Sequence, residues 1–117
     1  MEMRPKMKPY WSTPKGVTHG MYEEVLSIPE YNQFIHRKRR NKRVRGMMAC
    51  MVYFDMKMDD KYIGKTLREF VEKYNPVGAS AILLSSQKVG SLLAMMVRLG
   101  ILSKSTKNNK SYYRRLI

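Results

Sequence analysis

The clearest pattern of apolar and polar positions lies in the C-terminal half of the chain. After Thr66 apolar side chains recur at helical spacing, and the repeat stops at Asn75 and Pro76. Residues 66–69 read Thr-Leu-Arg-Glu, the sequence of a capping box, which predicts that a helix begins there. We expect the apolar face of this helix to pack on a core; it comprises Leu67, Phe70, Val71 and Tyr74.

A longer helix is predicted over residues 87–99. Ser85 and Ser86 precede it and supply a turn and an N-cap. Gly100 follows it, and a glycine in the left-handed conformation is a common end of a helix. The apolar face of this helix comprises Val89, Leu92, Leu93, Met96 and Leu99.

Two shorter elements flank the longer helix. Residues 78–84 favour a short helix with Ile82 and Leu83 directed inward. After Gly100 the pattern changes to that of a basic β-hairpin. The predicted strands are 101–104 and 111–116, the tip is 105–110, and Asn108 and Asn109 are expected to form the turn.

The N-terminal part combines a predicted arm with a predicted helix. Residues 1–19 contain three prolines and basic side chains without any helical or strand period, which indicates an extended basic arm. Further on, Ser27, Pro29 and Glu30 match a capped helix start. We expect this helix to carry Tyr31, Phe34 and Ile35 on one face and to run into residues 37–45, of which seven are cationic.

The segment Met47–Met58 is ambiguous between helix and strand. Met and Ala without an internal Gly or Pro favour a helix, whereas the alternation that begins at Phe54 favours a strand. We favour a helix, and we expect this segment to form core in either conformation. Methionine fills irregular spaces in a core without implying a cofactor. A turn at Asp59 and Asp60 is expected to end the segment.

The charge of the chain indicates its class of partner. Of 117 residues, 23 are Lys or Arg and 9 are Asp or Glu, which gives a net charge of +14. Solubility alone is reached at a net charge of about 2–8 in magnitude, so we expect a polyanion as partner, most commonly a nucleic acid. The single cysteine, Cys50, forms no intramolecular disulfide, and no apolar run approaches the ~20 residues of a membrane span. We therefore expect an intracellular protein without a membrane partner.

The order of helix, short helix, capped longer helix and basic hairpin resembles the winged helix-turn-helix family. The resemblance covers about 50 residues and is most evident in SSQKVGSLLAMMVRLGILSKSTKNNKSYYRRL. It implies a mainly α fold with a small β-hairpin, which is an α+β class. One domain is then expected over 20–117, with 27–58 as an N-terminal helical extension and 62–117 as the winged helix-turn-helix.

The same resemblance implies a nucleic-acid interface. In the family the third helix enters the major groove and the wing lies on the adjacent backbone. Carried over to this chain, the third helix contributes Gln87, Lys88, Ser91 and Arg98, and the wing contributes Lys104, Lys107, Lys110, Arg114 and Arg115. The basic run is expected to add phosphate contacts through Arg37, Lys38, Arg39, Arg40, Lys42, Arg43 and Arg45.

No arrangement of residues points to catalysis. Tyr53 and Tyr62 resemble the tyrosine pair of GIY-YIG nucleases only faintly, because the first glycine and the downstream acidic residue of that motif have no match. His19 and His36 are not spaced as metal ligands, and no phosphate-binding glycine loop is present. We expect neither enzymatic activity nor a cofactor.

The sequence therefore predicts a small DNA-binding protein that acts as a transcriptional regulator, with duplex DNA favoured over RNA. Two alternatives stay open. One is an RNA or ribonucleoprotein binder, which the basic run and the pair Tyr112 and Tyr113 would also suit. The other is a non-enzymatic inhibitor or interaction module built on a winged helix. A homodimer and a protein partner are compatible with each of these hypotheses.

Overall fold

The computed structural model of the protein describes residues 13–37 and 40–117. Within these ranges the chain forms helices and a three-stranded antiparallel sheet, an α+β arrangement. The helices are α1 (His19–Leu26), α2 (Pro29–His36), α3 (Lys42–Asp55), α4 (Gly64–Glu72) and α5 (Ser86–Arg98), and the strands are β1 (Lys61–Ile63), β2 (Leu102–Lys107) and β3 (Lys110–Arg115).

Helix α3 forms the centre of the core. Every residue from Val44 to Val52 is buried, so this helix is enclosed on all sides. The helix predicted from Met47 is thereby confirmed as far as Asp55, and Met56 already has an extended backbone. Gly46 is needed where α1 crosses α3, because a Cβ at this position would lie 2.7 Å from the hydroxyl of Tyr22.

The N-terminal segment differs from the expected arm. In its described part, the Lys15 amide donates to the Tyr74 carbonyl at 3.0 Å and Val17 is buried, so this stretch packs on the body. Helix α1 was not predicted. It begins after Thr18, whose hydroxyl accepts a hydrogen bond from the Met21 amide at 3.1 Å. A threonine N-cap was the available sequence signal for this helix.

The helix that begins near Ser27 does not continue through the basic run. The N-cap is Ile28, without a capping side chain, and α2 ends at His36. A new helix, α3, begins at Lys42 after Asn41, which has a φ of 63°. Asparagine tolerates this left-handed conformation better than most residues, and closely spaced cations disfavour one continuous helix.

The connection between α4 and α5 is mostly extended. Helix α4 begins at Gly64 with Ile63 as N-cap, so the predicted capping box at Thr66 does not form. The predicted helix over 78–84 is limited to the 3₁₀ turn Gly78–Ser80, after which Ala81 is extended. Leu83, expected to face inward, is 90% exposed. Pro76 removes a backbone donor and Gly78 has a φ of +78°, and both disfavour an α-helix here.

The sheet has the strand order β1-β3-β2. The hairpin was predicted, although its strands extend further toward the tip, to Lys107 and Lys110. Asn108 and Asn109 form the two-residue turn with φ of 52° and 62°, as expected for a type I′ hairpin. Strand β1, which was not predicted, pairs Tyr62 with Tyr113. It is too short to show a strand period in the sequence.

The C-terminal strand is bound to α3 by a partly buried arginine. The guanidinium of Arg115 donates to the carbonyls of Tyr53 at 2.9 Å and Met56 at 3.1 Å, and it lies over the Tyr53 ring. The Tyr31 hydroxyl donates to the Ile117 carbonyl at 2.9 Å. The end of the chain is thereby fixed to both α2 and α3. Among the described residues, no helix has the length and apolar character needed to cross a membrane.

Burial of Tyr31 and Cys50 makes the free energy of unfolding sensitive to alkaline pH. Burial raises the pKa of Tyr31 from 10 to about 12 and that of Cys50 from 9 to about 12. The unfolded chain therefore loses these protons first, and we expect the free energy of unfolding to fall as pH rises from 9 to 12. In Tyr31→Phe the loss between pH 10 and 12 should be smaller by on the order of 2 kcal/mol. Denaturant unfolding of both proteins at several pH values in this range measures the difference. If both proteins lose the same free energy of unfolding, the raised pKa of Tyr31 does not contribute.

Candidate nucleic-acid interface

Helix α5 is positioned by its cap and by its apolar face. The Ser85 hydroxyl accepts from the Lys88 amide at 3.1 Å, which confirms a serine N-cap at the predicted place. The residues facing the core are buried, as predicted, except that Leu99 is half-buried; the buried ones are Val89, Leu92, Leu93 and Met96. Gly100 has a φ of +82°, which confirms the left-handed end of the helix and turns the chain into β2.

Two side chains for which the sequence predicted no role at this site fix the start of α5. Arg68 of α4 donates to the Ser86 hydroxyl and to the Leu84 carbonyl, each at 2.7 Å. The side-chain nitrogen of Asn75 donates to the Ile82 carbonyl at 2.6 Å, and its side-chain oxygen accepts from the Ile82 backbone amide at 2.9 Å. Together these contacts hold the extended connection against α4. An asparagine before a proline at a helix end was the only sequence signal for this role.

A pocket of about 250 Å³ separates the N-terminal part of α4 from α5 and β3. Leu93 and Tyr113 contribute to its apolar wall, and Lys65 and Arg68 also line it. Gly90 of α5 lines the same pocket and contributes no side chain. The first half of α5 thus faces this pocket on the side toward α4 and β3.

The predicted residues of α5 do not all lie on one face. Gln87, Ser91 and Arg98 are exposed, and their spacing of four and seven residues places them along one side of the helix. Lys88 is half-buried and lies off this side. The exposed side of α5 therefore carries two polar side chains, the apolar Ala94, and one cation at its C-terminal end.

The hairpin presents a cluster of exposed positive charge. Lys104, Lys107, Lys110 and Arg114 are all exposed, as the predicted interface requires. Arg115 is the exception, because its guanidinium is occupied by backbone carbonyls of the core helix. Its predicted role as a phosphate contact is not supported by this geometry, and it has a structural role instead.

The basic run over 37–45 is divided by the fold. Arg37 and Arg40 are exposed, and Lys42 and Arg43 are half-buried at the start of α3. Arg45 is only 2% exposed, and its Nε donates to the Ile35 carbonyl at 3.1 Å. The prediction that Arg45 contacts phosphate is wrong, because the enclosure of α3 places this side chain in the core. The predicted contacts Lys38 and Arg39 lie outside the described residues.

The described residues contain no group of three or more His, Cys, Asp or Glu side chains placed to hold a metal ion. Cys50 is buried, and burial raises the pKa of its thiol to about 12, so the thiol stays protonated and unreactive at neutral pH. The candidate interface consists of the exposed side chains Gln87, Ser91 and Arg98 of α5 and the cationic hairpin that follows.

No protein-family model, no curated protein and no solved structure matches this chain.

The contact between Asn75 and the connection gives a first test of this site. Asn75→Ala leaves the amide and carbonyl of Ile82 without their partner, so we expect it to lower the free energy of unfolding by about 1–3 kcal/mol. Hydrogen exchange at the Ile82 amide should accelerate more than at amides in α3. Gln33→Ala, at an exposed polar position of α2, is the matched control and should have little effect. Unchanged exchange at Ile82 in Asn75→Ala would contradict this role.

Proposed function

We propose that this protein binds nucleic acid through a winged helix-turn-helix domain. The observation that carries the proposal is the charge of its last 45 residues. No Asp or Glu occurs after Glu72, and the exposed cations of this region cluster in the hairpin that follows α5. A surface with one sign of charge on a rigid helix and hairpin suits the phosphate backbone.

The topology supports the winged-helix assignment. A helix, a short strand, two further helices and a hairpin follow one another from α3 to β3, and β1 adds to the β3 edge of the hairpin. This is the element order of winged helix-turn-helix domains. In this assignment α3 is the first helix, α4 the second and α5 the third. The domain then begins near Lys42, earlier than the boundary at residue 62 that the sequence pattern suggested.

Helix α5 is proposed to lie in the major groove of duplex DNA. Gln87 and Ser91 are exposed in its first turns, where side chains of such helices meet base edges. Gln can bond adenine at two positions, whereas Ser discriminates less between bases. With so few side chains available to bases, sequence specificity would be modest and phosphate contacts would dominate the affinity. A small transcriptional regulator fits this division of roles.

A protein-interaction module is the second candidate. The connection between α4 and α5 exposes Val77 and Leu83, with exposed fractions of 79% and 90%. Isolated exposed apolar side chains are common, but two large ones on one short connection favour a protein contact. This candidate predicts no binding of any nucleic acid at low salt. It also predicts that Leu83→Ser abolishes association with a protein partner.

The cations of the hairpin should act as pooled charge on phosphate. Changing Lys104, Lys107 and Lys110 together to Ala should weaken duplex binding on all sequences and lower the dependence of log K on log salt by about 0.9 for each phosphate that is no longer neutralised. The matched variant with Arg at the three positions keeps the charge and should keep the dependence. Fluorescence anisotropy titrations at several salt concentrations measure it. An unchanged slope in the Ala variant would show that the hairpin does not touch phosphate.

The exposed side of α5 should respond differently. If Gln87 contacts a base, Gln87→Ala should cost about 1–3 kcal/mol on a preferred site selected from random duplexes, and much less on unselected duplex. Gln33→Ala, at the exposed glutamine of α2, serves as the control. An equal loss of binding free energy on both duplexes would show that Gln87 contacts the DNA backbone and no base.

A further inference from the structure

The sheet has one face toward the helices and one face away from them. On the inner face, the Tyr62 ring packs edge-on against Phe70 of α4 at 5.7 Å, and its cross-strand partner Tyr113 is buried. Side chains alternate along a strand, so the neighbours Tyr112 and Arg114 of β3 lie on the opposite face. We call this opposite side the outer face of the sheet.

An aromatic ring lies in the middle of the outer face. Tyr112, in the central strand, pairs with Ile63 of β1 on one side and with Ser105 of β2 on the other. Tyr112 and Ile63 are half-buried, and Ser105 is exposed. Neighbouring strands lie about 4.8 Å apart, so these three side chains form one row across the sheet. The row offers an aromatic and aliphatic platform with a hydroxyl at its edge.

Cations occupy the rows on both sides of this platform. Arg114 and its partner Lys61 lie two residues along the strands in one direction, and Lys110 and its partner Lys107 lie two residues along in the other. All four are exposed. The strand rise places each cationic row roughly 7 Å from the Tyr112 row. A ring with positive charge on both sides matches a nucleotide, whose base is planar and whose neighbouring phosphates are anionic.

The cross-strand pairs on this face are electrostatically unfavourable in the free protein. Lys61 faces Arg114, and Lys107 faces Lys110, and like charges directly opposite each other destabilise a sheet. The nearest acidic residues along the chain are Asp59 and Asp60, in the turn before β1. The Asp60 carboxylate accepts a hydrogen bond from the hydroxyl of Tyr62, and Tyr62 lies on the inner face. A bound polyanion would relieve the repulsion within both pairs.

We propose that the outer face of the sheet binds an unpaired nucleic-acid strand, with a base stacked on Tyr112 and the flanking phosphates held by the two cationic rows. The proposal rests on the proposed nucleic-acid-binding function and adds a second surface to it. Duplex DNA is held by the side of α5 and by the hairpin lysines, and the unpaired strand is held by the outer face of the sheet, so that Lys107 and Lys110 serve both surfaces. Stacking on an aromatic side chain within a cationic groove is how single strands are bound without sequence preference.

The test compares single strands with duplex on variants of Tyr112. Fluorescence anisotropy is measured with labelled oligo(dT) and oligo(U) of about 12 nucleotides, and with a random-sequence duplex. Tyr112→Thr keeps a residue that favours strands but removes the ring, and it should weaken single-strand binding about tenfold or more while changing duplex binding less than twofold. Tyr112→Phe keeps the ring and should retain single-strand affinity. Thermal unfolding of each variant confirms that it is folded.

The outcomes separate the two proposals. If the unmodified protein binds neither single strand nor duplex at about 50 mM salt, the proposed function itself fails. If duplex binds but Tyr112→Thr leaves single-strand affinity unchanged, or lowers both affinities equally, the outer-face site is overturned. As a second measurement, photocrosslinking to 5-iodouridine in the oligo(U) probe should label the Tyr112 peptide. Crosslinks confined to α5 would also overturn the outer-face site.

Discussion

The enclosure of α3 is the constraint on which the rest of the structure depends. Nine consecutive residues, Val44–Val52, are buried, so the helices before and after them must cover α3 on every side. Its neighbours supply the cover: α1 and α2 from the N-terminal part, and α4 from the C-terminal part. Hydrophobic burial at this position joins the N-terminal helices to the domain that carries the interface. An N-terminal extension independent of that domain would leave much of this apolar surface in water.

Enclosure also determines which cations are available to a polyanion. A buried guanidinium needs hydrogen-bond acceptors, and Arg45 and Arg115 find them in backbone carbonyls of α2 and α3. The three lysines of the hairpin, Lys104, Lys107 and Lys110, are instead exposed to water. The net charge of the chain therefore overstates the charge of the binding surface. In the described part of the basic run, Arg37 and Arg40 stay exposed, whereas Arg45 does not.

The elements that the sequence predicted correctly are those with strong local signals. The apolar period and serine cap of α5, the left-handed Gly100 and the two asparagines of the hairpin each depend on neighbouring residues only. The errors have separate causes. The capping sequence at Thr66 lies inside a helix whose N-cap is Ile63. After Gly78, whose φ is positive, the chain is extended, and the side chain of Asn75 binds both backbone groups of Ile82.

The sequence by itself determined the charge, the apolar face of α5 and the turn of the hairpin, because these depend on composition or on residues close along the chain. Only the tertiary structure decided that Arg45 is buried, that Arg68 and Asn75 hold the start of α5, and that β1 joins the hairpin. It also brought Lys61 beside Arg114, which lies 53 positions further along the chain. Burial and cross-strand pairing are properties of residues distant in sequence, so no local pattern records them.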